Sequence, residues 1–301
     1  MLKNLHVEMV EVGPRDGLQN EATLVSTADK ADLIRRAIDY GARRIEVTSF
    51  VNPQKVPQLA DAEQLVAMLP HRDDVTYIGL VLNRRGAERA IAAGRIDELG
   101  AVCVTSDSFG IRNQGQSADA SLAAAMEIVR LATAAGRSGQ ITIATAFGCP
   151  FEGEVPIARV VDIAKRVADS APREIALADT IGCGSPAQVA EMVGRVREAI
   201  AGLPVRVHFH NTRGTGLANV WAAVGEGAST VDSSLGGLGG CPFAPGAAGN
   251  VPTEDVVYML ERSGITTGFD LQKTVKAAAW LADRMDRTLP AMVSKAPAFP
   301  S

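Results

Sequence analysis

The chain lacks a cysteine framework. Its four cysteines, Cys103, Cys149, Cys183 and Cys241, lie far apart and form no C-x-x-C pair. Zinc-knuckle and dithiol redox chemistry need that short spacing, so both are excluded, and reduced thiols are the expected state. No apolar run approaches the ~18 residues of a membrane helix. Residues 1–8 hold no apolar stretch followed by small residues, so no secretion signal is expected. The closing Ala-Phe-Pro-Ser is no receptor-read address. Blocks of Lys or Arg are missing too. With a formal net charge of −4, neither nucleic acid nor an anionic membrane suits the chain as partner. The expected location is cytoplasmic.

What is present is an ordinary globular balance, 47% hydrophobic and 21% charged over 301 residues, enough for one large domain with a sizeable core. Short β-branched apolar runs recur eight times, at residues 9–12, 44–48, 76–80, 101–105, 141–145, 174–178, 205–209 and 230–233. Such runs suit parallel strands buried on both faces. Helical patterns lie between them. One starts near Ser26, and others cover 120–135, 157–168, 186–200, 216–225 and 253–262. Pro186 directly after Ser185 is a helix-start signal. Eightfold strand–helix alternation predicts an α/β chain folded as a (β/α)8 TIM barrel. An open doubly wound sheet is the alternative, although no G-x-G-x-x-G follows the first strand. The expected organisation is a single domain, with the barrel at about 7–265 and C-terminal helices and a tail at about 266–301.

In a TIM barrel the active face is formed by the C-terminal strand ends and the loops after them. Arg15 and Asp16 follow the first strand at a Gly-Pro turn, where a surface salt bridge is the plain alternative. The seventh strand ends His208-Phe209-His210. Strand alternation puts both imidazoles on one face, and only four histidines are available in the chain. Strand eight separates strands one and seven, so Asp16 can join the two histidines. Asn250, at the end of a loop with six glycines between 236 and 249, can add an oxygen. A mixed oxygen–nitrogen set suits Mg²⁺ or Mn²⁺, although the histidines also accept Zn²⁺ or Co²⁺. The glycine-rich loop reads either as a phosphate cradle or as a mobile segment carrying the Cys241 thiol as an acid or nucleophile. Cys103 lies within a strand and reads as core. Glu46 and Asp179 are carboxylates at apolar strand ends and must be paired or bind something. Glu46 is a partner for Arg15 or a catalytic group; Asp179 orients a metal ligand or acts as acid or base.

The segment Val12-Gly13-Pro14-Arg15-Asp16-Gly17-Leu18-Gln19-Asn20-Glu21 resembles that of the 3-hydroxy-3-methylglutaryl-CoA lyases. So do Thr48-Ser49-Phe50-Val51, Gly148-Cys149-Pro150-Phe151-Glu152-Gly153, Asp179-Thr180-Ile181-Gly182, Val231-Asp232-Ser233-Ser234 and Thr253-Glu254-Asp255. The likeness runs in order over nearly the whole chain. It implies a metal-dependent carbon–carbon lyase acting on an acyl-CoA, with Asp16, His208, His210 and Asn250 as ligands. It also implies Arg15 as a catalytic arginine, Cys241 as the loop cysteine, and Glu46 and Asp179 as supporting acids. His208 or Asp179 is the candidate base. Arg15, Gln19 and Ser49, within these motifs, and Asn113, kept in a segment whose neighbours differ, are the candidate substrate contacts. A 3-hydroxy-3-methylglutaryl-CoA substrate would place the chain in leucine degradation or ketone-body metabolism.

Three loops depart from the family pattern: Asn52-Pro53-Gln54-Lys55, residues 106–113, and Asn211-Thr212-Arg213. They are the expected determinants of the acyl group, with citramalyl-CoA or a longer-branched 3-hydroxyglutaryl-CoA as alternative substrates. Aldolases of 4-hydroxy-2-oxo acids share the Arg-Asp and H-x-H pattern and are the alternative class. The expected partners are an acyl-CoA and, at most, further copies of this chain.

Overall fold

In the computed structural model, which describes residues 5–200, 202–240 and 249–299, the eight apolar runs become eight strands. These are β1 (Glu8–Glu11), β2 (Arg44–Ser49), β3 (Thr76–Val81), β4 (Glu98–Val104), β5 (Ser138–Ala144), β6 (Ile175–Asp179), β7 (Val205–Phe209) and β8 (Thr230–Ser233). They form one closed barrel in chain order, and β1 pairs in parallel with β8. Closure rules out the open-sheet alternative and gives a TIM barrel. The strands β4 and β5 each begin three residues before the apolar pattern does. Their first turns of strand, Glu98-Leu99-Gly100 and Ser138-Gly139-Gln140, carry polar and small residues because alternate positions face a polar barrel axis.

The helices are α1 (Thr27–Asp39), α2 (Ala62–Ala67), α3 (Arg84–Ala92), α4 (Asp107–Gln114), α5 (Ala118–Ala134), α6 (Ile157–Ala168), α7 (Pro186–Ala199), α8 (Gly216–Gly225), α9 (Thr253–Arg262) and α10 (Leu271–Met285). Side-chain caps start several of them. Ser26, Asn83, Ser106, Ser117 and Ser185 each accept a first-turn amide, which satisfies a donor the helix itself leaves orphaned. No described helix is long and apolar enough to cross a membrane.

The outward faces of the strands are apolar except at C-terminal ends such as Glu11 and Asp179. Ile45, Val47, Ile141, Ile143, Leu177, Val207 and Phe209 are buried under the helices in one continuous core, and Cys103 joins them. The segment after α10 packs back onto the barrel. Leu289 and Ala291 are buried, and Asp255 accepts the amides of Met292 and Val293. The C-terminal extension is therefore docked through Lys295 rather than ending as a tail near 286.

The inward face is charged at the N-terminal mouth. Arg44, 2% exposed, reaches Glu98 at 2.6 Å, Glu174 at 2.7 Å and Glu8 at 2.8 Å. Removing one member of such a buried set leaves an uncompensated charge, a large cost. Arg44→Met is expected to destabilise the fold by about 3 kcal/mol, measured by urea unfolding; a change under about 0.5 kcal/mol would show that Glu98 and Glu174 find other partners.

Candidate active site

A tight turn at Gly13–Gly17 follows β1 and aims Arg15 and Asp16 at the barrel mouth. The Val12 carbonyl accepts amides from Arg15, Asp16 and Gly17 at 3.2, 2.8 and 3.1 Å. The turn tolerates no side chain at two places. A Cβ on Gly13 would lie 2.5 Å from Glu11 Oε1, and one on Gly17 2.6 Å from Ser234 Oγ. Glu11 braces the turn from behind. Its carboxylate accepts the amides of Gly13 and Leu235 and the hydroxyls of Tyr40 and Thr253, at 2.6–2.9 Å.

Asp16 faces both histidines of β7. Its Oδ2 lies 3.9 Å from His208 Nε2 and 4.0 Å from His210 Nε2. These distances are too long for hydrogen bonds and lie within the ~4.2 Å that two ligands can span across one ion. One ligand atom from each of the three residues falls within 4.8 Å of the others. The donor set therefore fits a divalent cation. Asn250 joins the cluster because residues 249–251 run beside β7: Val251 N donates to Phe209 O at 3.1 Å, and Asn250 bridges to His210. Its amide nitrogen donates to Asp16 Oδ2 at 2.7 Å and to the Leu238 carbonyl at 3.1 Å.

The charges are tuned together. Burial alone would raise the Asp16 carboxyl, but the Arg15 guanidinium at 2.5 Å, the two imidazoles and the Asn250 amide hold it well below the usual carboxylate range. Burial, reinforced by its imidazole neighbour His208, pushes His210 down to about 4, so His210 is neutral at pH 7, as a ligand must be. Arg15 also donates to Glu46 Oε2 at 2.9 Å and reaches Gln19 at 3.4 Å. The Arg15–Glu46 pairing is thus real, and Glu46 lines the cavity as well.

That cavity, about 520 Å³, opens above the cluster. Its inner wall carries Asp16, Glu46, Leu80, Ala144, His208 and His210, and its outer wall Asn52, Lys55, Phe109, Arg112 and Asn113. Gln19 and Asn113 therefore stand where substrate contacts were expected. Ser49 does not line it; it is buried just past a register shift in β2, and its Oγ has no partner. Asp179 does not line it either. Its neighbours Ala178 and Thr180 face the cavity, so alternation turns Asp179 outward. There its carboxylate accepts the amides of Cys183 and Gly184 at 2.9 Å each. The loop after β7 is also elsewhere: Arg213 donates to the Ile181 and Gly182 carbonyls, and Asn211 accepts the Gly216 amide. Cys241 lies outside the described residues.

Sequence reasoning gave no role to Asp232 and Arg206. Both line the cavity floor, and Asp232 accepts from His208 Nδ1 at 3.0 Å and from Arg206 Nε at 2.5 Å. The rule that flagged Glu46, a charge in an apolar strand, would have found them.

Against known proteins, the HMGL-like family model matches residues 6–281. The chain belongs to the HMGL-like family. It is 39% identical to a hydroxymethylglutaryl-CoA lyase of Bacillus subtilis over 94% of this chain and 95% of that protein. It is 41% identical to an (R)-citramalyl-CoA lyase of Chloroflexus aurantiacus over 98% of this chain and 96% of that protein. A solved HMG-CoA lyase of Acinetobacter baumannii, in complex with coenzyme A and 3-methylmalate, superposes with a TM-score of 0.93 at 40% identity, covering 98% and 96% of the two chains. The family resemblance drawn from the motifs is borne out.

One carboxyl beside the site is strained electrostatically. Glu254 is fully buried and accepts the Gly236 amide at 2.9 Å, but its Oε1 has no donor. Burial, with the charges of Asp255 and Glu11, raises its pKa from 4.5 to about 7. The folded state therefore holds this proton across that window, and the group's contribution to stability falls as pH rises through it. Glu254→Gln should be more stable relative to the parent at pH 8 than at pH 4.5, by about 1–3 kcal/mol. Urea unfolding at both pH values checks this; an unchanged difference would mean Glu254 ionises normally.

Proposed function

We propose that this HMGL-like chain is a divalent-metal-dependent carbon–carbon lyase that cleaves 3-hydroxy-3-methylglutaryl-CoA to acetyl-CoA and acetoacetate. The observation that carries the reading is the Asp16–His208–His210 cluster beside Arg15 at the inner end of the cavity. The similarity to hydroxymethylglutaryl-CoA lyases over nearly the full chain supports it.

Asp16, His208 and His210, with Asn250, would hold Mg²⁺ or Mn²⁺. The ion supplies positive charge that lowers the pKa of the substrate hydroxyl. The hydroxyl proton leaves, its oxygen becomes the ketone of acetoacetate, and the C2–C3 electron pair passes to the thioester enolate. A proton then returns to C2 to give acetyl-CoA. Arg15 would neutralise charge on the enolate oxygen.

The geometry narrows the proton acceptor. Asp179 is turned away from the cavity. His208 has Nδ1 on Asp232 and Nε2 toward Asp16, so no nitrogen is free while it acts as a ligand. Glu46 remains, a carboxylate on the cavity wall steadied by Arg15. Cys241, from the family likeness, is the proposed donor to C2.

A second reading keeps the chemistry and changes the acyl group. The outer wall is built by residues 52–55 and by α4, two of the segments that depart from the family pattern. A relative of equal similarity is an (R)-citramalyl-CoA lyase. Citramalyl-CoA is shorter by one methylene, which a pocket resolves by about 1–3 kcal/mol.

With Mg²⁺ or Mn²⁺, acetyl-CoA release should be fastest from 3-hydroxy-3-methylglutaryl-CoA in a panel with citramalyl-CoA and longer-branched homologues. Faster release from another member moves the substrate and leaves the mechanism. Asp16→Ala and His210→Ala should each lose bound metal and at least about 100-fold in kcat/KM; normal activity with normal metal content in either would sink the metal assignment.

A further inference from the structure

The two histidines of the cluster are held differently. His210 Nδ1 is buried and has no hydrogen-bond partner. His208 Nδ1 lies 3.0 Å from Asp232 Oδ2. Asp232, on β8, is 5% exposed, and its other oxygen receives Arg206 Nε at 2.5 Å. Arg206, on β7 one inward position below His208, is 1% exposed and sits 3.6 Å from Glu174. A carboxylate held ionised by a buried guanidinium only accepts hydrogen bonds. Opposite it, His208 must carry a proton on Nδ1, which makes Nε2 the nitrogen that faces Asp16 and is available to an ion.

We propose that Asp232, secured by Arg206, is a positioning residue that fixes the tautomer and ring orientation of His208 so that Nε2 is the metal-binding nitrogen. This rests on the reading of Asp16, His208 and His210 as a cation site. Partners on the far nitrogen of a ligating imidazole set both ring orientation and basicity.

The chemistry of the Asn variant follows. In Asp232→Asn, Arg206 has only donors and claims the amide oxygen, which leaves the amide nitrogen facing His208. A donor opposite Nδ1 selects the tautomer protonated on Nε2, which cannot bind an ion.

The test uses protein stripped of metal by chelation and titrated with Mn²⁺ alone, with free Mn²⁺ followed by electron paramagnetic resonance. Asp232→Asn should raise the Mn²⁺ dissociation constant about 10–100-fold. Arg206→Met/Asp232→Leu removes both buried charges together, so it keeps the fold even where the single variant does not, and it should show the same weakening. In ¹⁵N-histidine-labelled metal-free protein, a spectrum of only four histidines should show His208 protonated on Nδ1 in the parent and on Nε2 in Asp232→Asn. Parental Mn²⁺ affinity in either folded variant, or an unchanged His208 tautomer in Asp232→Asn, overturns the proposal. A parent that binds no Mn²⁺ overturns the cation site itself, a different result from variants that bind as well as the parent.

Discussion

The structure depends on a column of alternating charge along the barrel axis. It begins with Arg44 between Glu98 and Glu174, passes from Glu174 to Arg206 and Asp232, and continues through His208 to Asp16, Arg15 and Glu46. None of these ions can be left alone at such burial, because desolvation of an unpaired charge costs several kcal/mol. Each is tolerable only beside the next. A buried pair adds little net stability, so the column is better understood as fixing positions than as holding the fold together. The apolar face under the helices supplies the burial, and the column fixes what stands at the mouth.

The upper end of that column is held from the outside by α9. Its first three residues each grip a different piece of chain. Thr253 donates to Glu11 behind the Arg15–Asp16 turn, Glu254 accepts the Gly236 amide, and Asp255 accepts the amides of Met292 and Val293. Leu289 in turn packs on Gly236, where a Cβ would come within 2.3 Å of its Cδ1 and φ is +69°, so only glycine meets both demands. The docked C-terminal extension and Gly236 are therefore parts of one support for the site. The raised pKa of Glu254 is a consequence: a carboxyl chosen to hold one amide is buried where its second oxygen has no donor.

The sequence made the barrel legible because period-two and period-3.6 patterns report which faces are apolar, and here the outward faces are. It was least legible where the inward face is polar. Glu98 and Gly100 hid the start of β4, and Ser138 and Gln140 that of β5. The cation cluster was readable because His208 and His210 share a face by simple alternation, and because parallel order puts β8 between β1 and β7. The same alternation, applied one residue earlier on β6, would have turned Asp179 away from the cavity. Ser49 could not be read in this way, since the register shift between Glu46 and Thr48 has no mark in the sequence. Nor could the loop after β7: its departure from the family pattern serves contacts with Ile181, Gly182 and the start of α8 rather than the cavity.

The site divides by rigidity. The groups at its reacting end come from β1 and the turn after it, from β2, from β7 and from Asn250, and the charge column and barrel hydrogen bonds tie them down. The outer wall comes from residues 52–55 and from α4, an eight-residue helix capped by Ser106. Changes in those loops would reshape the cavity's outer wall without shifting Asp16 or the histidines, because no link of the column passes through them. Relatives named for different acyl-CoAs at nearly the same identity to this chain, 39% and 41%, fit that separation. One methylene in an apolar pocket is a discrimination of only about 1–3 kcal/mol, and a few loop residues suffice to move it. The bond-breaking chemistry, tied to the barrel axis, has no comparable freedom.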